Sequence, residues 1–576
     1  MPGKESDAVE SVSHEQDVTE STELEATHYL TGSKLSLVLV GLGLAIYLFS
    51  LDIAVISTAI PSITARFHST TDIGWYAAAY PLSMCSLQPL AGKLYVSFSL
   101  KWTFFTFVGI FLLGSLLCGA AVNSSLFILG RAVAGAGAAG IFSGTFSILA
   151  VVVPLSKRAI YTAALSSLLG VATITGPIIG GALATKVTWR WCFYINLPLG
   201  APTLLALTLF FHPPIRSSDK APLREKLLKI DLVGCAIFMP TIVMILLALQ
   251  WGGQQYPWKS ATVVGLFCGA AGLATIFILW EHRKGENAMI PFSIILHRSI
   301  ILSCLFSSFM FGAYLINVYY MPEWFQVIKG ASPLHSGIMT LPLVLSQIIA
   351  SGIGGIAINR TGYYNPWFFV GIGCMAIASG LYTTLTTSTP HAKWIPFMVV
   401  QGLGGVAMQA SLLAVQASLA SRPQLIPVGI SLVTFFQYFG GSVFQSIALA
   451  VFQNQLVKSL KQHVGLNAEQ VQILLDAGSG HARKATLSSF PGKLDSVLWA
   501  YDRAITSVFY ASLASAIVGF VLALGIEWKN IRAKPSHPNG GEVGSTKAPS
   551  AADNEVEVVA EKADSSKLQR TCLDRG

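Results

Sequence analysis

Apolar runs separated by short polar breaks fill the chain from residue 36 to residue 527. An α-helix crosses about 30 Å of hydrocarbon with roughly 20 apolar residues, and by that measure the pattern predicts fourteen spans. They fall near 36–61, 74–95, 102–122, 125–150, 160–183, 194–211, 230–249, 261–280, 300–321, 335–357, 367–386, 395–418, 427–452 and 505–527. The run 194–211 is short, and only the polar "NSS" at Asn123 separates the third span from the fourth. Residues ahead of the first span are polar and acidic, which predicts a disordered tail with no cleavable signal.

The loops carry a second pattern. "GKLYVSFSLKW" from Gly92 follows the second span, and "GIAINRTGYY" from Gly355 follows the tenth. Gly74 and Gly337 precede those two glycines by the same interval, and "AGAGA" (Ala134–Ala138) in the fourth span matches "QGLGG" (Gln401–Gly405) in the twelfth. This order predicts a duplication of six helices, with spans seven and eight inserted between the copies. An insert of two helices preserves polarity, so the halves are parallel repeats about an axis along the membrane normal. The expected organisation is a disordered cytosolic tail (1–35), a six-helix bundle (36–211), a linker with two extra helices (212–299), a second bundle (300–530) with an outward loop at 453–504, and a disordered cytosolic tail (531–576).

Composition agrees: 53% of the 576 residues are hydrophobic and 11% charged, against roughly 25% charged in a soluble domain. The net charge of +9 does not point to nucleic acid, because Lys and Arg sit between apolar runs rather than in one patch. With a cytosolic N-terminus, inside loops hold Lys93, Lys101, Lys157, Arg158, Arg283, Arg298, Arg360 and others. Outside loops hold only Arg66, Lys186, Arg190, Lys259, Lys329 and Lys393. That bias is the positive-inside rule. The eight cysteines show no CxxC spacing, so neither a disulfide framework nor a metal site is expected. Asn123 opens a sequon on an outside loop, a candidate glycosylation site close to the membrane; the "NRT" at Asn359 is discounted because it lies inside.

Several stretches resemble the major facilitator superfamily, and within it the fourteen-span drug:proton antiporters. "LDIAVISTAIP" (Leu51–Pro61) is similar to the first-helix motif, with Ala54 and Ser57 where Thr and Asn are common. "RAVAGAGAA" from Arg131 resembles the fourth-helix motif, with Ala134 in place of Gln. "GPIIGG" from Gly176 resembles the fifth-helix antiporter motif, and "WRWCFYINLPLG" from Trp189 the aromatic loop after it. The loop at Gly92 and Lys93 departs from the pattern: Val96, Ser99 and Leu100 replace the family's Asp, Gly and Arg, while Asn359, Arg360 and Gly362 keep much of it in the second half. The form "GKLYVSFSLKW" resembles fungal toxin and secondary-metabolite efflux pumps. The resemblance covers about residues 36–530 and implies an all-α, 6+2+6 major facilitator fold.

Two charges fall well inside the apolar spans, Asp52 and Arg131. Each costs about 3 kcal/mol on insertion scales, so such residues are usually buried in a bundle and functional. At 1.5 Å per residue both lie at similar depth, so they pair or sit near one another across a polar cavity. Burial favours the neutral acid and a nearby cation the carboxylate, which is the minimum hardware for proton coupling. The competing readings are a permanent structural pair and a snorkelling helix-end charge. Gly176, Gly180 and Gly181 predict a smooth face for close helix approach and Pro177 a kink, with Thr173 or Thr175 satisfying the freed carbonyls. In antiporters of the family this helix is thought to seal or rock against the partner half. Embedded polar and aromatic residues, Tyr80, Gln88, Asn317, Tyr320, Gln347, Gln409 and Gln437 among them, are candidates for a cavity that takes amphipathic molecules.

No GxxxxGK[ST] phosphate loop and no HExxH is present, which excludes an ATP-driven pump or a zinc hydrolase built on those motifs. The reading is a monomeric, proton-coupled exporter of an amphipathic toxin, metabolite or drug. Its partners are that molecule, protons and the bilayer, with no cofactor beyond the proton gradient. Both termini are expected in the cytosol, in the plasma membrane or alternatively the vacuolar membrane. A proton-coupled importer of a nutrient or iron chelate on the same fold is the alternative.

Overall fold

The computed structural model describes residues 29–69, 72–213, 222, 224–226, 230–253, 255–478, 482–490 and 492–532. The expected tails before residue 29 and after 532, and most of 214–229, lie outside the described residues. Fourteen long helices carry the described chain: α1 Gly32–Phe67, α2 Ile73–Ser97, α3 Leu100–Ala120, α4 Ser124–Val152, α5 Leu155–Lys186, α6 Asn196–Phe210, α7 Leu232–Trp251, α8 Ala261–Lys284, α9 Arg298–Val327, α10 Leu341–Thr361, α11 Asn365–Tyr382, α12 in two pieces (His391–Leu403 and Val406–Ser418), α13 Ile426–Gln462 and α14 Leu494–Leu524. Among the described residues no strand forms; there are only two isolated bridges.

Local chemistry sets several ends. Asn123, Asp231 and Ser260 each accept a backbone N–H from three residues on, capping α4, α7 and α8. Gly362 closes α10 at φ 79°, a left-handed conformation suited to glycine.

Twelve helical segments among the described residues are long and apolar enough to cross a membrane. The two that fall short are α2, which carries the buried Ser86, Gln88 and Lys93, and α11, which is only 18 residues long.

Three boundaries differ from expectation. The sixth span starts with a separate turn, Trp191–Tyr194, before α6. The twelfth breaks at Gly404–Gly405 rather than running through. Much of 453–504, expected as a loop, is helical: α13 runs on to Gln462, α14 begins at Leu494, and Ala468–Ala477 and Ala482–Ser489 form short helices between them. Leu456 and Leu460 on the extension are buried in the same cluster as Val497 and Tyr501. An amphipathic extension has a low mean apolarity, so counting apolar runs stops short of it.

Neighbour relations repeat between the halves. In the first, α1 packs on α5 and α6, α2 on α4, and α3 on α4; in the second, α9 packs on α13 and α14, α10 on α12, and α11 on α12. The halves meet reciprocally, α2 on α13 and α5 on α10. The two glycines aligned by the sequence repeat sit at those seams. A methyl group on Gly92 would overlap Ser431 of α13, and one on Gly355 would meet Ala163 and Ala159 of α5. The pseudo-symmetry of the loops is therefore a pseudo-symmetry of packing, with α7 and α8 packed on each other between the halves in the chain.

Candidate functional site

Asp52 and Arg131 are fully buried, and the structure pairs them: Arg131 Nη1 bonds Asp52 Oδ2. Asp52 lies mid-way along α1 and Arg131 two turns into α4. The rest of the guanidinium is accounted for by α2, where Arg131 Nε donates to the Tyr76 carbonyl at 3.2 Å and the Tyr80 ring lies 4.6 Å beneath the guanidinium carbon. The other carboxylate oxygen is held from α6: Asn196 Nδ2 donates to Asp52 Oδ1 at 3.0 Å and to Ser115 Oγ of α3 at 3.0 Å. Five helices of one half thus converge on a single carboxylate. Asn196 was missed by sequence reasoning, although it lies in the quoted "INLPLG"; nothing in a lone asparagine signals that it reaches Asp52.

The glycine motif backs onto this site. A methyl group on Gly176 would overlap Ala54, and one on Gly180 would overlap Thr58 and Val55, all on α1. On the N-terminal side of these contacts, Tyr47 Oη and Thr175 Oγ1 share a 3.0 Å hydrogen bond and Ser50 Oγ donates to the Leu169 carbonyl at 3.2 Å. This corrects three expectations. Gly181 has no neighbour within 4 Å of an added Cβ, because consecutive residues point about 100° apart around a helix and Gly181 turns away from the face that Gly176 and Gly180 share. The motif glycines press α5 onto α1 of their own half; contact with the partner half comes lower on α5, where Gly170 faces Val344 and Ile348. Thr173 and Thr175 bond the carbonyls of Leu169 and Val171, not the one that Pro177 frees.

Comparison with known proteins agrees with this architecture. The Major Facilitator Superfamily profile matches residues 42–445. The chain belongs to that superfamily. It is 48% identical over 524 residues to "MFS-type transporter poxA" of Penicillium oxalicum, covering 90% of this chain and 92% of that one. It is 40% identical over 541 residues to "MFS-type efflux pump MFS1" of Arthroderma benhamiae (93% and 99% covered), and 40% over 532 residues to "Efflux pump mlcE" of Penicillium citrinum (90% and 95%). Among solved structures, the proton:xylose symporter XylE (14% identity, TM-score 0.53, 87% and 98% covered) and the human organic anion transporter MFSD10 (11%, 0.54, 86% and 100%) share the fold. The protein is a multi-pass membrane transporter of small molecules, as its superfamily is.

The expected cavity residues of this transporter separate into two groups. Asn317 donates to Ser379 Oγ at 3.0 Å, Gln409 donates to the Ser351 carbonyl at 3.0 Å, and Tyr320 packs on Phe452: these knit the second half together. Tyr80, Gln347, Gln88 and Gln437 sit differently. Tyr80 packs against Phe49, whose ring lies 6.2 Å from Tyr438; Tyr438 also meets Phe142 at 6.1 Å and Phe311 at 5.1 Å. Phe311 stacks on Tyr314, which donates to Gln347 Oε1 at 3.2 Å. A run of rings therefore leads from beneath Arg131 across the junction of the halves to α10. Gln88 is 1% exposed with neither amide atom partnered, and Gln437 is buried one residue from Tyr438. Phe49, Phe142, Phe311 and Tyr314 escaped sequence reasoning because phenylalanines are everywhere in such a chain.

The gate-loop residues are also engaged. Lys93, only 8% exposed, donates to the Ala288 carbonyl at 2.8 Å and the Glu286 carbonyl at 3.4 Å. The carboxylates of Glu281 and Asp231 act on it, and those two groups adjoin beside Gly234. Glu281 accepts from the amides of Met289 and Ile290, and Asp231 from Trp280 Nε1 at 2.9 Å. Buried charge is thus not confined to Asp52 and Arg131; Lys93, Arg158, Asp231, Glu281 and Asp502 are buried too. The first four lie near helix ends, where sequence reasoning assigned charge to water and packing removes it; Asp502 lies two turns into α14, in the part expected as loop. In the second half, the Gly362 and Arg360 carbonyls accept from Ile531 N and Arg532 Nη1, while Asn359 is half-buried with Oδ1 unpartnered. Asn123 is exposed, its side chain capping α4. Among the described residues no group of His, Cys, Asp and Glu could hold a metal ion.

Proposed function

We infer that the protein is a proton-coupled exporter of amphipathic small organic molecules in the fungal plasma membrane, with both termini in the cytosol. The observation that carries this reading is the Asp52–Arg131 pair, buried in a transporter with no other charge at that depth in its first half. In apolar surroundings neither charge is stable alone. A proton delivered to Asp52 cancels its charge, loosens its hold on Arg131, and lets α1 shift along the Gly176–Gly180 seam. Because α1 also carries Phe49, that shift is felt at the aromatic junction. The halves then part at the α2–α13 and α5–α10 seams, cargo binds from the cytosol, and the proton leaves to the same side. Re-formation of the pair returns the protein to the packed arrangement. Export rather than import follows from the relatives named efflux pumps and from the antiporter form of "GPIIGG".

The test uses inside-out vesicles with an acidic lumen. Vesicles containing the protein should accumulate an amphipathic dye, and should stop when a protonophore is added or when Asp52→Asn replaces the wild type. Accumulation by intact cells down a proton gradient would establish the importer instead. For topology, an impermeant maleimide on intact cells should label Glu469→Cys and spare Lys529→Cys; the reverse pattern overturns it.

A further inference from the structure

The two inserted helices border a cleft that the central site does not use. Helix α7 is fixed at both ends to different halves. Near its start Phe238 packs on Phe435 of α13, with ring centroids 5.3 Å apart. At its far end Gln250 Nε2 donates to the Gly74 carbonyl at 3.2 Å and Trp251 packs on Trp75, both on α2 of the first half. Between these anchors α7 leaves α13, and a cleft of about 450 Å³ opens at the end away from the Gly92 seam. Leu249, Ile447 and Ala450 form its lower wall, and Trp258, Asn454 and Lys458 its upper rim. From Ile447 to Lys458 is eleven residues of helix, about 16 Å, so one wall grades from apolar to cationic along its length.

The rim is built. Trp258 lies against Gly252 and Gly253, where any side chain would strike the indole, and Gly253 holds φ 78°. Trp251 packs on Tyr256 across the same turn, with ring centroids 5.9 Å apart. Lys458 is the one cation among the lining residues, no acidic residue lines the cleft, and no ion pair holds Lys458 among the described residues.

We propose that the α7–α13 cleft binds amphipathic organic anions, their acidic group on Lys458 and Asn454 and their apolar body along Ile447, Ala450 and Leu249. A cavity of this volume suits a molecule at the small end of the drug-sized range; a phospholipid with two acyl chains is larger. Under the topology inferred above the cleft opens toward the outer leaflet, beside the helices that part during transport. It is a side port on the release path, and it gives the inserted pair a role in handling cargo. The proposal rests on the efflux reading only for the direction of travel; binding is measured without it.

The experiment titrates the full-length protein in nanodiscs of zwitterionic lipid with anilinonaphthalene sulfonate, following energy transfer from tryptophan to the dye, and repeats it with uncharged phenylnaphthylamine. Lys458→Gln should weaken the sulfonate about tenfold, the scale of one lost charge-assisted hydrogen bond, and leave the uncharged dye unchanged. Ile447→Trp should abolish saturable binding of both, Trp258→Phe should lower the energy transfer only in part because Trp251 and Trp75 stay nearby, and Lys461→Gln should match wild type. Asp52→Asn should bind as wild type even though its transport fails, which separates this site from the coupling site. Unchanged sulfonate binding in both Lys458→Gln and Ile447→Trp overturns the proposal. So does stoichiometric displacement of the dye by anionic phospholipid, which would make the cleft a lipid site.

Discussion

Two of the buried clusters of charge among the described residues are wired differently. The Asp52 cluster draws on α1, α2, α3, α4 and α6, all in one half. The Lys93 cluster starts in that half but ends on α7, α8 and the 285–291 stretch that leads into the second half. A charge closed within one half can change its protonation while that half stays folded, and is felt outside only through helix packing. A charge that bridges segments acts as a tie whose loss frees one part from the other. The inserted helices thus do more than lengthen the linker: they supply the carboxylates that the loop at Gly92 lacks.

The sharpest test of this contrast is Arg131→Ala. It strands Asp52 as a buried, unpaired carboxylate at a cost of about 3–5 kcal/mol, so folded yield and thermal stability should fall along with transport. Asp52→Asn keeps the shape and an oxygen that can accept from Arg131, so it should lose less stability than Arg131→Ala while abolishing gradient-driven efflux. Full efflux in correctly localised Asp52→Asn protein would reduce the first cluster to packing.

Next in size is Gly180→Leu, which drives bulk into Val55 and Thr58 and should cost about 3 kcal/mol by overpacking. Gly181→Ala, one residue on and facing open space, should stay within about 0.5 kcal/mol of wild type. Equal effects of the two on stability and efflux would show that the α1–α5 seam does not discriminate.

Lys93→Met should cost about 2 kcal/mol, the worth of hydrogen bonds made by a charged group. Its signature should be a raised passive proton leak in vesicles with coupled efflux retained. Loss of coupling without leak would erase the distinction between the clusters. The smallest effect belongs to Asn123→Ala, which removes the cap of α4 for about 1 kcal/mol and should leave efflux untouched.

Much of the architecture was legible in the chain. Fourteen apolar runs, the loop repeat around Gly92 and Gly355, and the isolation of Asp52 and Arg131 in apolar sequence all survive in the fold, because lipid forces each span to satisfy its own backbone and tolerates charge only inside a bundle. These are properties that single segments declare by themselves.

What single segments cannot declare was decided in three dimensions. Asn196 reaches Asp52 across 144 positions, and no local pattern marks that pairing. Gly176 and Gly180 face α1 rather than the partner half, since a smooth glycine face states that something approaches closely and not what. Lys93, Glu281 and Asp231 are near helix ends and would be solvated there if those ends were free; the 285–291 stretch packs on Lys93 and Glu281, and Trp280 packs on Asp231. The apolar pattern determined which residues leave water, for that follows from each residue's own transfer energy. Which buried group meets which was left to tertiary structure, because hydrogen bonds and ion pairs need the position of a second residue that lies far away in sequence.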